Sequence, residues 1–322
     1  MLQVVDRPIA EPGPDEVRIR VHLSGVNPTD WKAREGGGRP APFPEVVPNQ
    51  DGAGVIDAVG PGVDPARVGE RVWIWEAAYQ RADGTAQEYV VLPSVQAVGL
   101  PDSASFELGA SLGIPFLTAH RCLTVNEGGP ERLAPGALDG RTVLVAGGAG
   151  AVGNAAIQLA RWAGAAVIAT VSSPAKAQLA KAAGANEVID YRTQDVVAEV
   201  RAISARGVDT IVEVASANAA IDAALIGLHG AVAIYASGGG DLTLPVRPLL
   251  ALNARWQFVL VYTLPDAAKI AGIDGVRAAV ADGALRVGDE AGLQLHHFPL
   301  EQTGAAHDAV QAGAVGKVLI DL

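Results

Sequence analysis

The stretch Thr142–Gly164 reads TVLVAGGAGAVGNAAIQLARWAG. Its first five residues are apolar and rich in β-branching, the pattern of a buried parallel strand. Glycines at 148, 150 and 153 then spell G-x-G-x-x-G, and Ala155, Ile157, Leu159 and Ala160 lead into a helix ending near Gly164. Gly148 is expected to allow the tight turn, Gly150 the close approach of a pyrophosphate, and Gly153 close packing of helix on strand. The helix N-terminus offers unpaired N–H groups and the positive end of its dipole to phosphates. A glycine-rich turn without a ligand would share the three glycines. The strand before them and the helix after them favour a dinucleotide site.

Beyond Thr142 the same alternation continues. Strands are expected at 142–146, 166–170, 187–190, 209–214 and 231–236, with helices at 152–163, 174–183, 194–205 and 217–228 between them. Trp256–Tyr262 (WQFVLVY) is expected as a sixth strand, followed by a helix near 266–282. Six strands alternating with helices imply a doubly wound parallel sheet, an α/β Rossmann domain.

The N-terminal third reads differently. Val17–Leu23 (VRIRVHL) alternates as a half-buried strand after the turn Pro12-Gly13-Pro14. Gly25-Val-Asn-Pro-Thr-Asp-Trp31 comes next, then a Gly/Pro-rich loop to Pro48, and short strands follow at 55–59, 71–75 and 86–92. Such punctuation predicts an antiparallel β domain, a distorted barrel. A helix is expected from about Ser105 towards Cys122, broken at Pro115, and Asn126–Gly140 reads as loop. Leu293–Phe298 and Lys317–Leu322 have the character of the β domain and are expected to return to it. The domains are thus expected at 1–117 with 284–322, and at 118–283.

Composition bounds the function. The chain has 322 residues, 49% hydrophobic and 18% charged, which reads as globular with a large core. A net charge of −11 without a basic cluster argues against a nucleic-acid partner. No run has transmembrane length and no signal-peptide core follows Met1, so the expected location is cytoplasmic. One cysteine, Cys122, excludes an intrachain disulfide and any multi-cysteine metal site; it reads as a core residue.

Several segments, in order and at consistent spacing, carry a resemblance over nearly the whole chain: GVNPTDWK (25–32), PNQDGAGVIDAVG (48–60), VGERV (68–72), the 142–164 fingerprint, AGANEVIDY (183–191) and GKVLIDL (316–322). On these the chain resembles a medium-chain dehydrogenase/reductase of the zinc-independent, zeta-crystallin-like quinone oxidoreductase branch. The resemblance implies a GroES-like β-barrel and a Rossmann domain, an active site in the cleft between them, a small-molecule quinone or enone substrate and a homodimer paired through the Trp256–Tyr262 edge. It also bears on metal. Zinc members place a cysteine at the position of Asn27, a histidine at that of Gln50 and a third ligand near Ile114; none of these three is a thiolate or imidazole. Neither a catalytic zinc nor the family's four-cysteine structural zinc is expected. Family members also carry one more strand before Leu2–Pro8; here Met1 falls where that strand ends, so either an edge strand is lacking or the true start lies upstream. The Asn126–Leu138 loop is longer than the pattern expects.

For the cofactor, NAD-preferring Rossmann domains carry a carboxylate about 20 residues past the glycines. Here the strand ends Thr170-Val-Ser172-Ser173, with Lys176 following and Tyr191 closing the next strand. A hydroxyl, an ammonium and a phenol suit a 2′-phosphate, so NADPH is expected. Thr118, Ala151, Val152 and Lys317 complete the expected cofactor contacts. On the substrate side Asn27, Thr29, Gln50 and Tyr79 are the candidates, with Trp31 nearby. Asn27 and Gln50 hold former ligand positions and are expected to face the substrate. Thr29 matches a relay hydroxyl of zinc alcohol dehydrogenases, which without a metal cannot run that relay and is equally a turn residue. His296-His297 falls on opposite faces of a strand without partners, and His22, His120, His229 and His307 lack companions in sequence. No residue has the pKa logic of a clear general acid, which suits easily reduced acceptors. Three readings stand: an NADPH-dependent quinone oxidoreductase; a 2-alkenal or enoyl reductase, with Tyr79 as proton donor; and a non-catalytic NADPH-binding structural or sensor protein.

Overall fold

The structure, a computed structural model, describes residues 2–36, 43–238 and 240–322. Met1, on which the expectation of a missing edge strand turns, lies outside the described residues, as do residues 37–42 of the Gly/Pro-rich loop. The chain divides into two compact units, Met1–Ile114 with Gln294–Leu322, and Pro115–Leu293.

The first unit holds β1 (Glu16–Val26), α1 (Pro28–Arg34), β2 (Asp51–Val59), β3 (Arg71–Ile74), β4 (Tyr89–Pro93) and β5 (Ala97–Gly99). Along β1 the side chains of Val17, Ile19 and Val21 are buried while Arg18, Arg20 and His22 are not, the period-two pattern of a sheet with one wet face. From Ser24 the alternation gives way to full burial. There β1 is flanked by β2 and by a strand from the chain's end, described below. Val17, Ile19, Val21, Ile56, Val72, Ile74, Val90 and Leu92 form this unit's apolar core.

The helix α2 (Phe106–Leu123) runs without interruption through Pro115, and the break expected there does not occur. Proline removes one N–H and its hydrogen bond. Every residue from Leu108 to His120 is nonetheless buried, so packing outweighs the local penalty.

The second unit continues with β6 (Thr142–Ala146), α3 (Ala151–Trp162), β7 (Ala166–Val171), α4 (Pro174–Ala182), β8 (Glu187–Asp190), α5 (Val196–Ile203), β9 (Val208–Glu213), α6 (Ala219–Leu225), β10 (Ile226–Ile234), α7 (Val246–Leu252), β11 (Arg255–Phe258) and α8 (Asp266–Ala281). The sheet order is β11-β10-β9-β6-β7-β8, all parallel, which is the doubly wound Rossmann order. Its core gathers Leu144, Ile168, Ile189, Val200, Ile211, Leu225 and Val232.

Two expectations in this unit are corrected. β10 starts at Ile226 rather than near 231, because the chain enters the ladder early and then bulges: register slips between Ile226 and Ala231, with His229 at φ 58°. β11 stops at Phe258 rather than Tyr262. Its neighbour β10 ends at Ile234, the Val259 N–H takes the Ile234 carbonyl, and beyond it Val261–Thr263 coils into a 3₁₀ turn.

The first unit is completed by β12 (Leu295–Pro299), α9 (Thr303–Gln311) and β13 (Lys317–Asp321). Its sheet runs β12-β13-β1-β2-β3-β5, with β4 also on β1. β13 therefore lies antiparallel on the buried half of β1, pairing Leu319 with Gly25 and Val318 with Val26. Among the described residues no helix is long and apolar enough to cross a membrane.

Candidate active site

Where β1 ends, Asn27 leaves the strand in extended conformation (φ −125°, ψ 162°) and Pro28 opens α1. Proline has no N–H to lose at the first helical position, and Asn before it with Asp three residues on is a helix-start signal. Asp30 fills that role, its Oδ2 accepting the Asn27 N–H at 2.6 Å. Burial pushes the Asp30 carboxyl up to about 8, against the pull of the Asn27 N–H, so it carries a proton at neutral pH.

The Asn27 side chain points inward to a charge pair. Its Nδ2 donates to Asp51 Oδ2 at 2.7 Å, while Lys317 Nζ donates to Asn27 Oδ1 at 2.9 Å and to Asp51 Oδ2 at 3.1 Å. The second oxygen, Asp51 Oδ1, accepts the Ile114 N–H at 2.8 Å. Asp51 and Lys317 are 0% and 1% exposed, so carboxylate and ammonium are compensated almost wholly by one another and by these bonds. A second chain of buried polar groups backs the first. Thr85 Oγ1 donates to the Asp51 carbonyl, Ser24 and Thr85 hydroxyls meet at 2.8 Å, Asn49 Nδ2 donates to Ser24 Oγ, and His307 Nε2 meets Asn49 Oδ1 at 2.8 Å. The Asn49 oxygen only accepts, so His307 carries its proton on Nε2. Burial pushes the His307 imidazole down to about 4, keeping it neutral.

The other substrate-side candidates are spread around this point. Gln50 is half-buried beside Asp51 and its Oε1 accepts the Ala78 N–H at 3.1 Å. Thr29 and Trp31 are half-buried on α1, and Tyr79 is half-buried in the turn after Glu76. The histidines set aside as lacking partners have them: His296 Nε2 meets the Val315 carbonyl and His297 Nδ1 meets Asp321, each at 2.7–2.8 Å. Among the described residues no three His, Cys, Asp or Glu side chains converge as a metal site. Around Asn27 the groups are N–H donors and an ammonium lying on the available oxygens, a set that does not fit a zinc ion.

In the second unit, Gly147 rather than Gly148 takes the left-handed turn after β6, at φ +69°. Gly148 is needed for space instead: a Cβ there would come within 2.8 Å of the Ala169 methyl. Gly153 in α3 lies against the Gly147 carbonyl, with no room for a side chain. At Gly150 a Cβ would meet only that carbonyl, at 3.5 Å, so the approach to the N-terminus of α3 is open where Ala151 and Val152 begin the helix. Beyond the end of β7, Ser173 Oγ caps α4 by accepting the Lys176 N–H, and Lys176 Nζ donates to Ser172 Oγ at 3.1 Å. Tyr191, exposed after β8, ties its N–H to the Val171 carbonyl at 3.0 Å. The structure thus brings Ser172, Lys176 and Tyr191 to adjacent strand ends, on the side where the glycine turn opens. The carboxylate of nearby Asp190 is turned onto the Arg192 N–H. Thr118 is buried within α2. An open helix N-terminus beside a hydroxyl and an ammonium fits a phosphate-bearing dinucleotide.

Sequence reasoning passes over Asp30, Asp51 and the buried carboxyl pair Glu213–Asp222. Asp51 has a readable signal, a carboxylate opening a strand (DGAGVIDAV) whose first half is otherwise apolar, which burial obliges to find a cation. Its partner lies 266 residues away, and no local spacing points to it.

Residues 13–102 match the model of the alcohol dehydrogenase GroES-like domain, and residues 151–273 that of the zinc-binding dehydrogenase. The chain is 35% identical over 259 residues to the synaptic vesicle membrane protein VAT-1 homolog of Homo sapiens, covering 79% of this chain but 62% of that protein's length. It is 29% identical over 320 residues to the quinone oxidoreductase of Rattus norvegicus, covering 97% and 91% of the two chains. Among solved structures, an NAD-dependent alcohol dehydrogenase superposes with a TM-score of 0.84 at 31% identity, over 99% and 95% of the chains. A mycobacterial protein complexed with NADPH superposes with a TM-score of 0.78 at 28% identity, over 99% and 94%. With both domain models in order and these relatives along its length, the chain belongs to the medium-chain dehydrogenase/reductase superfamily of oxidoreductases, in its zeta-crystallin-like quinone oxidoreductase branch.

Proposed function

We propose that this protein reduces quinones with NADPH and without zinc. The observation that carries the cofactor choice is the Lys176–Ser172 contact at 3.1 Å. An ammonium and a hydroxyl at that strand end attract a 2′-phosphate, where a carboxylate would repel it. The quinone reading is supported by the rat relative's name together with the character of the Asn27 site. Bound NADPH supplies a hydride. Gly150 and the first residues of α3, Ala151 and Val152, would hold the pyrophosphate on a turn that Gly148 and Gly153 allow to pack tightly, while Ser172, Lys176 and Tyr191 would hold the 2′-phosphate.

Asn27 orients the acceptor oxygen and donates a hydrogen bond to it as negative charge develops, the task a metal performs elsewhere in the superfamily. Gln50 and Thr29 border that position. A quinone oxygen takes its protons from water, so no dedicated acid is required. Simple alcohols are not oxidised, because nothing in the site lowers an alcohol pKa.

The test is NADPH oxidation across a panel of quinones, enals and enones. Quinones are expected to be turned over, and Asn27→Ala should lower kcat/KM for them on the order of 10–1000-fold with NADPH affinity nearly unchanged. Enal turnover abolished by Tyr79→Phe, with poor quinone turnover, would replace this reading by a 2-alkenal reductase. Activity is expected to survive excess chelator, and metal analysis of purified protein to find no stoichiometric zinc.

A further inference from the structure

We propose that Asp51 and Lys317 are positioning residues: they lock the Asn27 carboxamide in one orientation and leave one of its N–H bonds for the acceptor oxygen. The inference rests on the reading of Asn27 given above, and it assigns Lys317 to the substrate side rather than to the cofactor.

A carboxamide has two N–H donors and an oxygen with two lone pairs. In an ordinary surface Asn the two ends exchange by rotation at little cost. Here the ends face groups that cannot exchange roles. Lys317 only donates, and it meets Oδ1; the Asp51 carboxylate only accepts, and it meets Nδ2. Rotating the amide by half a turn would set N–H against ammonium and carbonyl oxygen against carboxylate. Both contacts would be repulsive, and both would be buried, where water cannot relieve them.

The partners are themselves immobile. The Ile114 N–H holds the second oxygen of Asp51, so the carboxylate cannot turn away. Lys317 opens β13, which is laddered onto β1 through Leu319–Gly25 and Val318–Val26. Two glycines make the space. A Cβ on Gly25 would lie 2.9 Å from Lys317 Cε, and a Cβ on Gly113 would overlap Asp51 Oδ1. Of the two Nδ2 hydrogens, one is taken by Asp51. No other hydrogen-bond partner of Nδ2 occurs among the described residues, so the second hydrogen is left unspent on a side chain that is only 3% exposed. The Lys317 ammonium already spends two hydrogen bonds on Asn27 and Asp51, with its side chain enclosed.

The variant Asp51→Asn/Lys317→Met tests this without stranding a buried charge. Its kcat/KM for a quinone is expected to fall about 10–100-fold, the range for misplacing one donor to developing charge, while NADPH affinity stays within about twofold. Combined with Asn27→Ala, it should cost nothing beyond Asn27→Ala alone, because both changes remove the same hydrogen bond. Additive losses would show a role independent of Asn27. A tenfold or greater loss of NADPH affinity with quinone kcat unchanged would return Lys317 to the cofactor. Either result overturns the proposal.

A second measurement needs no variant and no turnover. In wild-type protein labelled with ¹⁵N-asparagine, one Asn27 Nδ2 proton should be shifted downfield and slow to exchange with solvent, and the other should not. Two protons behaving alike would overturn the lock. If no quinone is reduced by the wild type, the functional reading fails, and this asymmetry still decides whether the amide is held.

Discussion

At the residue scale the most informative contact outside the Asn27 site is the 3.1 Å approach of Lys176 Nζ to Ser172 Oγ. In a chain carrying a net charge of −11, a lysine in the first turn of α4, reaching back to the residue after β7, is a local exception to the global field. A charge-assisted contact to phosphate contributes roughly 1.5–3 kcal/mol, or about tenfold to a hundredfold in affinity. Lys176→Ala should therefore weaken NADPH by that factor and leave NADH nearly unaffected, as titrations of both cofactors would read. Equal losses for the two, or tighter binding of NADH by the wild type, would dissolve the phosphate site into a helix cap. The cap itself does not depend on the lysine side chain, since Ser173 Oγ takes the Lys176 backbone N–H.

At the scale of elements, legibility follows whether a segment's conformation is set by its neighbours in sequence or by distant ones. The Thr142–Ala146 strand, the glycine turn and α3 are readable because periodicity and punctuation are local. Even there the left-handed residue is Gly147, one position before the motif's first glycine. α1 carries a start signal in Asn27-Pro28 and Asp30, but its seven residues show no apolar face that would mark it as a helix. The continuity of α2 through Pro115 and the early end of β11 are not readable, since burial on all sides and the length of β10 decide them. The same holds for the candidate site. Asn27 is legible from its position, but the groups that hold it, Asp51 and Lys317, meet only through the sheet.

At the junction of β9 and α6 two buried carboxyls, Glu213 and Asp222, lie together. Burial and the adjacent Glu213 push the Asp222 carboxyl from 3.8 up to about 9, and Glu213 is raised too, chiefly by burial, so the pair retains a proton across the neutral range. The unfolded chain gives that proton up once the pH passes about 4. The folded state binds more protons from there to about pH 9, so this group's contribution to stability declines as pH rises through that window. Asp222→Asn removes the dependence. Its Tm advantage over the wild type should be larger at about pH 8.5 than at about pH 5, by thermal melts at both. An advantage independent of pH would mean that the two carboxyls do not share a proton.

At the scale of the whole molecule, the remaining question is what covers the free side of β11. This strand ends the six-stranded sheet, with β10 as its single neighbour among the described residues. Phe258 is 63% exposed and Leu260 53%, and on the adjoining α7 Val246 and Leu250, one helical turn apart, are 66% and 69% exposed. An unpaired edge carrying large apolar side chains invites pairing with a like edge. The chain supplies no blocking proline or lysine within Arg255–Phe258 to prevent it. A twofold axis beside β11 would set each edge against its copy and join two six-stranded sheets into one, an isologous contact that closes at two subunits. We therefore expect a homodimer at micromolar concentration by light scattering. Leu250→Glu/Phe258→Glu should give monomers, because four like charges would then face one another at the axis where apolar side chains had met. The wild-type Tm should rise with protein concentration while that of the variant should not, since association stabilises only the folded state. A wild type that remains monomeric at tens of micromolar, with a concentration-independent Tm, would show that this edge is not paired with its copy.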